Sequence, residues 1–246
     1  MSKRKALPGE VRQRSEAGEA IRQKIKAVAT EMFIVRGYNG VTFLDIAKTL
    51  GINHSLVHYH FGTKAKLSEE VLVEFVENGL REIRALWCSA DKSLFQKFVE
   101  ARDRLYRQFF RYHTDGQPEH STGLVSRFAM EFESIDPKLR EIVKDTHERI
   151  DNCVRQAVLI AIERGELTED TPVQLLALQI SSILFVAGPT ARYGWDFSRL
   201  DDHFRGAFAM ITLAYGAGKR EVEPWPKVKR PRSKRTATEP PEPVAA

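Results

Sequence analysis

Apolar residues recur every three or four positions along most of this 246-residue chain, the spacing typical of amphipathic α-helices. The first such run starts at about Glu19, carries Ile21, Ile25 and Val28 on one stripe, and ends at Gly37, which suits a helix C-terminus. No segment alternates apolar and polar residues between turn dipeptides, so we predict an all-α fold without a sheet. Further helices are predicted over about 65–87, 93–113, 121–134, 137–165, 171–189 and 200–216.

Residues 41–66 predict two short helices joined by a tight turn and followed by a longer helix. Ala47 is small enough for a second helix to cross close by, and Gly51 stands where the chain must turn sharply and a positive φ is favoured. Val57 is the apolar contact of the second helix. This arrangement is a helix-turn-helix, whose second helix enters the major groove of DNA. Side-chain N-caps are expected at Thr42, Asn53 and Thr63.

Charge is distributed unevenly along the chain. Residues 1–66 hold 12 lysines and arginines against 5 acidic residues, and residues 219–246 hold 8 against 4. Between them, residues 67–218 hold 18 basic against 24 acidic residues. A basic N-terminal part suits a polyanion, because phosphates release counterions when they are neutralised. The acidic middle is repelled by DNA and is expected to serve another purpose.

The two ends of the chain have the composition of segments without a core. Residues 1–18 are polar and basic and contain Pro8, Gly9 and Gly18, so we expect a disordered arm, either solvated or reaching a neighbouring minor groove. Residues 219–246 are basic and then proline-rich, and they carry too little apolar surface to fold. We interpret them as a disordered tail that either solubilises the protein or attracts DNA non-specifically.

The remaining patterns argue against several classes of protein. Cys88 and Cys153 are far apart and form no CxxC pair, which favours a reducing compartment over a disulfide scaffold. The chain opens on no apolar signal, and its most apolar stretch, 173–191, contains polar residues and a proline, so we expect a cytoplasmic protein without a membrane span. His54 and His58 have the spacing of a metal pair, but no carboxylate or cysteine completes it. Without a glycine-rich phosphate loop, GxSxG or HExxH motif, we predict no enzyme, no metal and no cofactor.

The pattern around the helix-turn-helix resembles the TetR family of bacterial transcriptional regulators. The resemblance spans roughly 45–50 residues, and the combination is specific. It departs from the family pattern at His58, where a tyrosine is common, and at His54, which takes an exposed position at the start of the recognition helix. The resembling residues are Ala29, Phe33, Gly37, Thr42, Asp45-Ile46-Ala47, Gly51-Ile52, Tyr59-His60-Phe61 and Lys64 to Leu67.

The resemblance implies a homodimer that binds double-stranded DNA at a near-palindromic operator, with the two recognition helices about 34–36 Å apart. Residues 19–66 would form the DNA-binding domain and 67–218 the effector-binding and dimerisation domain. A small-molecule effector would release this repressor from the DNA. Dimerisation is assigned to the last two helices, at about 173–187 and 204–215, because the first is apolar nearly all round and the second has a broad apolar face.

The start of the recognition helix is expected to face base edges, and residues around it to contact phosphates. In a simpler interpretation, the residues at the start of the recognition helix are exposed without contacting bases. The ring of Tyr59 is then packed, with only its hydroxyl free. Leu44 either reaches the same groove or belongs to the core. The candidates for base contact are His54, Ser55 and Leu56, and those for phosphate contact are Thr42, His58, Tyr59, His60 and Lys64.

The interior of the second domain decides between two functions. A hollow lined by apolar side chains favours a ligand-responsive regulator, whereas a packed interior favours a DNA-organising or partner-regulated protein of the same fold without a small ligand. Arg127 could pair with an anionic ligand, but an ion pair with Glu131 at i+4 is the simpler expectation. The candidates for lining a hollow, all of which could equally be core residues, are Trp87, Phe109, Phe110, His113, Phe128, Met130, Phe132, His147, Cys153 and Phe185.

Overall fold

The structure is a computed structural model that describes residues 8–112, 123–193, 198–218 and 225–227. The described part contains nine α-helices and no strand beyond an isolated bridge between Leu167 and Gly216. The prediction of an all-α fold is therefore confirmed. The helices are α1 Pro8–Arg36, α2 Phe43–Leu50, α3 His54–Phe61, α4 Lys64–Trp87, α5 Leu94–Tyr112, α6 Leu124–Met130, α7 Pro137–Glu163, α8 Val173–Tyr193 and α9 Ser198–Tyr215.

Helices α1–α3 form a small N-terminal unit, called the head below. Ile25 and Phe33 of α1, Ile46 of α2, and Val57 and Phe61 of α3 are all almost completely buried. Fully burying such a side chain stabilises the fold by about 1.5–3 kcal/mol. The short helices α2 and α3 therefore depend on packing against α1 for their stability, because helices of this length are marginal alone.

Helices α4–α9 form the body. The long helix α4 leaves the head and packs along α7, α7 packs on α8, and α8 packs on α9. At the far end of α4, Trp87 contacts Phe98 of α5 edge-on, with the ring centroids 5.8 Å apart. Phe98 in turn lies 5.4 Å from Phe208 of α9. The core of the body is thus continuous from the helix that carries the head to the last helix.

Helix boundaries differ from the sequence prediction at α1, α6 and α8. Helix α6 ends at Met130, although the prediction placed its end near residue 134. Helix α1 begins at Pro8, so residues 8–18 are helical and the prediction of a disordered arm over 1–18 is wrong for them; residues 1–7 lie outside the described part. Proline fits the first turn of a helix, where its missing N–H is not needed. Helix α8 was expected to end near Gly188-Pro189, but it continues to Tyr193.

A short piece of the predicted disordered tail lies on the body. Trp225 packs edge-on against Phe95 of α5 at 5.4 Å and contacts Phe208 of α9 at 6.3 Å. Its indole N–H donates to Asp201 Oδ1 at 2.8 Å, and the guanidinium of the buried Arg102 lies 5.1 Å from its ring. An aromatic residue that binds a buried cation and a carboxylate has enough partners to become ordered. The composition of the tail does not reveal such partners. The remainder of the tail, apart from 225–227, lies outside the described residues.

Candidate nucleic-acid interface

The recognition helix α3 turns one face inward and one face outward. Val57 and Phe61 are buried in the head. Asn53 caps the helix, because its Oδ1 accepts from the Ser55 N–H at 2.9 Å. The outward face is free of the body. Its exposed residues are His54, Ser55, His58 and Tyr59.

Helix α2 and the turn hold α3 at a fixed angle. The Asp45 N–H donates to Thr42 Oγ1 at 3.2 Å, and the Thr42 N–H donates back to Asp45 Oδ2 at 2.9 Å, which completes a capping box. The Thr42 hydroxyl also donates to Asp45 Oδ2, and this bond, followed by the one from the Thr42 N–H, lowers the pKa of Asp45. Gly51 has φ 63° and ψ 31°, a left-handed conformation that glycine adopts without strain, and the Ile52 N–H donates to Ala47 O at 3.0 Å.

The candidates for base contact differ in what they offer. His54 is exposed, and its ring lies 4.5 Å from that of His58. The Ser55 hydroxyl donates to Asn53 Oδ1 at 2.8 Å, so it presents lone pairs outward and suits a donor such as an amino group. Leu56 is half-buried, whereas Leu44 is 48 % exposed, so Leu44 does not belong to the core.

The aromatic and histidine candidates for phosphate contact surround the end of α3. Tyr59 is 82 % exposed, so its ring is not packed, and the alternative of a packed ring is wrong. His60 is half-buried beside it, with ring centroids 5.3 Å apart. His58 places Nδ1 3.2 Å from Gly62 O. Because a carbonyl oxygen only accepts hydrogen bonds, Nδ1 carries the hydrogen of this contact.

Lys64 has contacts that the sequence did not indicate. Its Nζ donates to Tyr38 O at 3.1 Å and to Val41 O at 3.3 Å, and it lies 4.2 Å from the Tyr38 ring centroid. Burial lowers the pKa of Lys64, and the charge of Glu131 partly opposes this. Lys64 therefore fixes the loop between α1 and α2, with part of its hydrogen-bonding capacity left over.

Residues at the end of α6 in the body form hydrogen bonds with the end of α1 and the loop that follows it. Glu131 Oε2 accepts from the Asn39 N–H at 3.0 Å and from Asn39 Nδ2 at 3.2 Å. Arg127 Nη2 donates to Arg36 O at 3.1 Å, and Arg127 Nε lies 3.2 Å from Glu131 Oε1. The ion pair within α6 was predicted and is confirmed. The hydrogen bonds of Arg127 and Glu131 to the head were not predicted, because no local pattern links residues so far apart in sequence. We call Arg127, Glu131 and Asn39 the latch.

A small cavity of about 130 Å³ lies in the body between α4, α5, α6, α7 and α8. Of the residues predicted to line a hollow, Trp87 and Phe185 do so, whereas Phe128 is core and Met130 is exposed. The side chains of Phe109, Phe110 and His113 lie outside the described residues. Polar groups reach this mainly apolar cavity from Arg104, Gln108, Ser126 and Thr146.

A larger groove of about 590 Å³ opens between α1, α4 and α5. Its charged side chains are largely paired with each other, as in Lys26 with Glu74 at 2.6 Å and Arg104 with Glu82 at 2.8 Å. The smaller cavity resembles the mainly apolar sites that bind small molecules, and the groove does not. Among the described residues, no group of three histidine, cysteine or acidic side chains could hold a metal ion, and no helix is long and apolar enough to span a membrane.

The last two helices expose large apolar side chains, which monomeric proteins rarely group together. On α8 these residues follow one stripe, and on α9 they lie on neighbouring turns. Gly206 of α9 has open space where a side chain would be. This set, called the apolar face below, consists of Leu175 (64 % exposed), Leu178 (53 %), Val186 (50 %), Met210 (67 %) and Leu213 (63 %).

Two family models match this chain. Residues 25–71 match the model described as "Bacterial regulatory proteins, tetR family", and residues 103–205 match "Tetracyclin repressor-like, C-terminal domain". Together they span most of the head and most of the body. The chain belongs to the TetR family. The predicted resemblance is thus confirmed, and the chain is a DNA-binding transcriptional regulator.

Individual relatives and a solved structure show how far this similarity extends. The chain is 29 % identical over 143 residues to the HTH-type transcriptional repressor Rv3405c of Mycobacterium tuberculosis, covering 58 % of this chain and 68 % of that protein. It is 26 % identical over 132 residues to the nucleoid occlusion factor SlmA of Vibrio atlanticus, covering 54 % and 63 %. The crystal structure of a TetR regulator from Chloroflexus aurantiacus has a TM-score of 0.66 at 22 % identity, covering 82 % of this chain and 100 % of that one. The mycobacterial relative is named a transcriptional repressor, and the match to the Chloroflexus structure shows that the fold is shared.

Proposed function

We propose that the protein is a homodimeric repressor that binds a near-palindromic operator and is released by a small-molecule effector. The observation that carries the proposal is the outward face of α3, where His54, Ser55, His58 and Tyr59 are exposed while Val57 and Phe61 fix the helix from behind. Such a helix suits the major groove, whose base edges carry a distinguishable pattern of donors and acceptors. The similarity to a mycobacterial repressor supports repression as the outcome.

The position of α6 supports a route from ligand to DNA. Val125 and Ser126 of α6 line the cavity, while Arg127 of the same short helix and its C-cap Glu131 belong to the latch. A ligand that moves α6 would therefore alter the contacts that orient the head. The effector must bind the released state better than the DNA-competent state for this to work.

The experiment that tests DNA binding is selection of operator sequences from a random duplex pool with the full-length protein. A near-palindromic motif with half-sites about one helical turn apart supports the proposal. If the selection enriches no sequence at low ionic strength, the protein does not bind an operator and the proposal is wrong.

We expect His54→Ala or Ser55→Ala to relax sequence preference rather than abolish binding. A lost base contact costs about 1–3 kcal/mol at particular base pairs and leaves the others unchanged. The measurement is a repeat of the selection with each variant. Thr49→Ala is a control on the exposed surface of α2. If both recognition-helix variants return the parental motif, these side chains do not read bases.

Lys64→Ala is expected to have two separate effects. Removing the donor to Tyr38 O and Val41 O should lower the free energy of unfolding by about 1–3 kcal/mol. If Lys64 also contacts a phosphate, the slope of log affinity against log salt should fall by about 0.9 on every DNA sequence. Chemical denaturation measures the first effect and salt titration the second. Lys48→Ala, at an exposed lysine of α2, should leave the unfolding free energy almost unchanged. A parental salt slope in Lys64→Ala would refute the phosphate role.

The cavity leads to a prediction about the effector. Its volume of about 130 Å³ is small beside sites of roughly 300–1,000 Å³ for drug-sized ligands, so we expect a compact, mainly apolar molecule. A ligand at 100 times its Kd stabilises the protein by about 2.7 kcal/mol, which a thermal-shift screen of metabolites detects. Ser126→Leu should fill the space and remove the shift. A ligand that stabilises both proteins equally binds elsewhere.

A second candidate function is a DNA-organising protein that responds to a partner and not to a small ligand. The similarity to a nucleoid occlusion factor favours it. One measurement separates the two functions. In an effector-released repressor, a ligand that stabilises the body must also lower operator affinity, whereas the DNA-organising protein has no such requirement.

A further inference from the structure

The two cysteines, distant in sequence, are neighbours in the body. Cys88 is the C-cap of α4, where its N–H donates to Arg84 O at 3.0 Å. Cys153 lies on α7, which packs along α4. The two thiols are within hydrogen-bonding reach of each other, and both are free and half-buried. Their sequence positions gave no sign of this, because the pair forms only when α4 and α7 pack.

We propose that Cys88 and Cys153 form a site of oxidative modification, at which a hydroperoxide converts the two thiols into an intramolecular disulfide. The site joins the last residue of α4 to the middle of α7. It lies in the body, away from the recognition helix.

The cavity is lined by residues that lie next to the two cysteines along their helices. Trp87, which immediately precedes Cys88, lines it, and so does Ile150, one helical turn before Cys153 on α7. A small apolar hydroperoxide that enters the cavity therefore contacts residues adjacent to both cysteines. Hydrogen peroxide also has access from solvent, since neither cysteine is fully buried.

The surroundings assign different roles to the two thiols. Burial, with a further contribution from Cys88, raises the pKa of Cys153 to about 11, so Cys153 is a thiol at neutral pH. The thiolate is the form of a cysteine that attacks a peroxide. Because the raised pKa of Cys153 disfavours its thiolate, Cys88 is the attacking residue and Cys153 the second, resolving residue.

The reaction balances with one hydroperoxide. The Cys88 thiolate attacks the terminal peroxide oxygen, the O–O bond breaks, and the alcohol leaves with the proton that Cys88 released, which forms a sulfenic acid. The Cys153 sulfur then bonds to the Cys88 sulfur and displaces hydroxide, which takes the Cys153 proton and leaves as water. Two thiols and one hydroperoxide thus give one disulfide, one alcohol and one water.

The expected effect on DNA binding rests on the proposed function. Helix α4 begins at Lys64, which contacts the head, and ends at Trp87, next to Cys88. A disulfide would tie the far end of α4 to α7 and restrict its movement. We expect operator affinity to change by about 5-fold or more, the usual scale of coupling between sites.

The test uses the reduced full-length protein treated separately with hydrogen peroxide and cumene hydroperoxide, each near one equivalent. Intact mass should fall by about 2 Da for the two hydrogens lost, and a non-reducing peptide map should contain Cys88 linked to Cys153. Dithiothreitol should restore the original mass. Cys88→Ser and Cys153→Ala should each prevent the linked peptide, and their reduced forms should melt and bind DNA like the parent. A sulfenic or sulfinic acid alone, a disulfide between subunits, or no reaction would overturn the proposal.

The mass measurement separates this inference from the proposed function, because it needs no DNA. Reduced protein that binds no duplex defeats the proposed function and leaves the modification site intact. A linked peptide that forms while operator affinity stays the same overturns the effect assigned to the disulfide.

Discussion

Leu178→Arg combined with Met210→Arg is expected to convert the proposed homodimer into monomers and to lower operator affinity by about 10²- to 10⁴-fold. Both side chains are more than half exposed, one on α8 and one on α9, so arginine costs the monomer little. In a dimer, four arginines would meet in the apolar face. The loss in affinity follows because two linked heads bind a palindrome at high effective concentration, and separate heads do not.

Light scattering after size-exclusion chromatography gives the mass of the particle, and a DNA titration gives its affinity. Val73→Arg is the matched control, since Val73 is 43 % exposed on α4 and does not belong to the apolar face. The control should remain dimeric and bind DNA normally. A double variant that stays dimeric would show that dimerisation uses another surface.

Gly37→Ala is expected to destabilise the protein by more than the strain of a positive φ alone. Gly37 has φ +78°, and a Cβ there would overlap Glu131 Oε1 and come within 2.7 Å of Arg127 Nε. The left-handed conformation costs a residue with a Cβ about 1–2 kcal/mol. Displacing the Glu131 carboxylate from Asn39 adds about 1.5–3 kcal/mol, the range for hydrogen bonds to charged groups.

Gly51→Ala is the control for the cost of placing a Cβ at a positive φ. Gly51 has φ +63°, but an added Cβ meets nothing within 4 Å, so the variant should show only the strain. Denaturant unfolding without DNA compares the two variants. Equal losses of stability would mean that α6 moves aside at no cost and that the latch does not hold the head. Addition of Glu131→Ala to Gly37→Ala should recover part of the difference if the overlap is its cause.

Local chemistry explains what the sequence could predict. Thr42, Asn53 and Thr63 cap their helices as expected, because a hydroxyl or amide oxygen bonds an N–H two or three residues away. The pattern of apolar residues likewise located most helix ends and the helix-turn-helix. Such features depend on neighbours in sequence, which a reader of the chain can see.

Contacts between distant segments could not be predicted in the same way. The ammonium of Lys64 binds the carbonyls of Tyr38 and Val41, although the motif suggested a phosphate contact. The latch and the paired cysteines likewise form only when α4, α6 and α7 pack. The order at Trp225 also depends on partners in α5 and α9. Whether the exposed residues of α3 read bases stays a prediction.

The wall of the cavity includes Trp87, which is 1 % exposed and sits beside Leu86 and Ile150. An indole in such surroundings fluoresces at short wavelength, and its emission responds to whatever enters next to it. Intrinsic fluorescence can therefore follow occupation of the cavity in the unlabelled protein, at the same time as anisotropy of a labelled duplex follows release of the operator. Trp225→Phe would remove the emission of a second indole on the outside of the body, so that a spectral change points more directly to the interior.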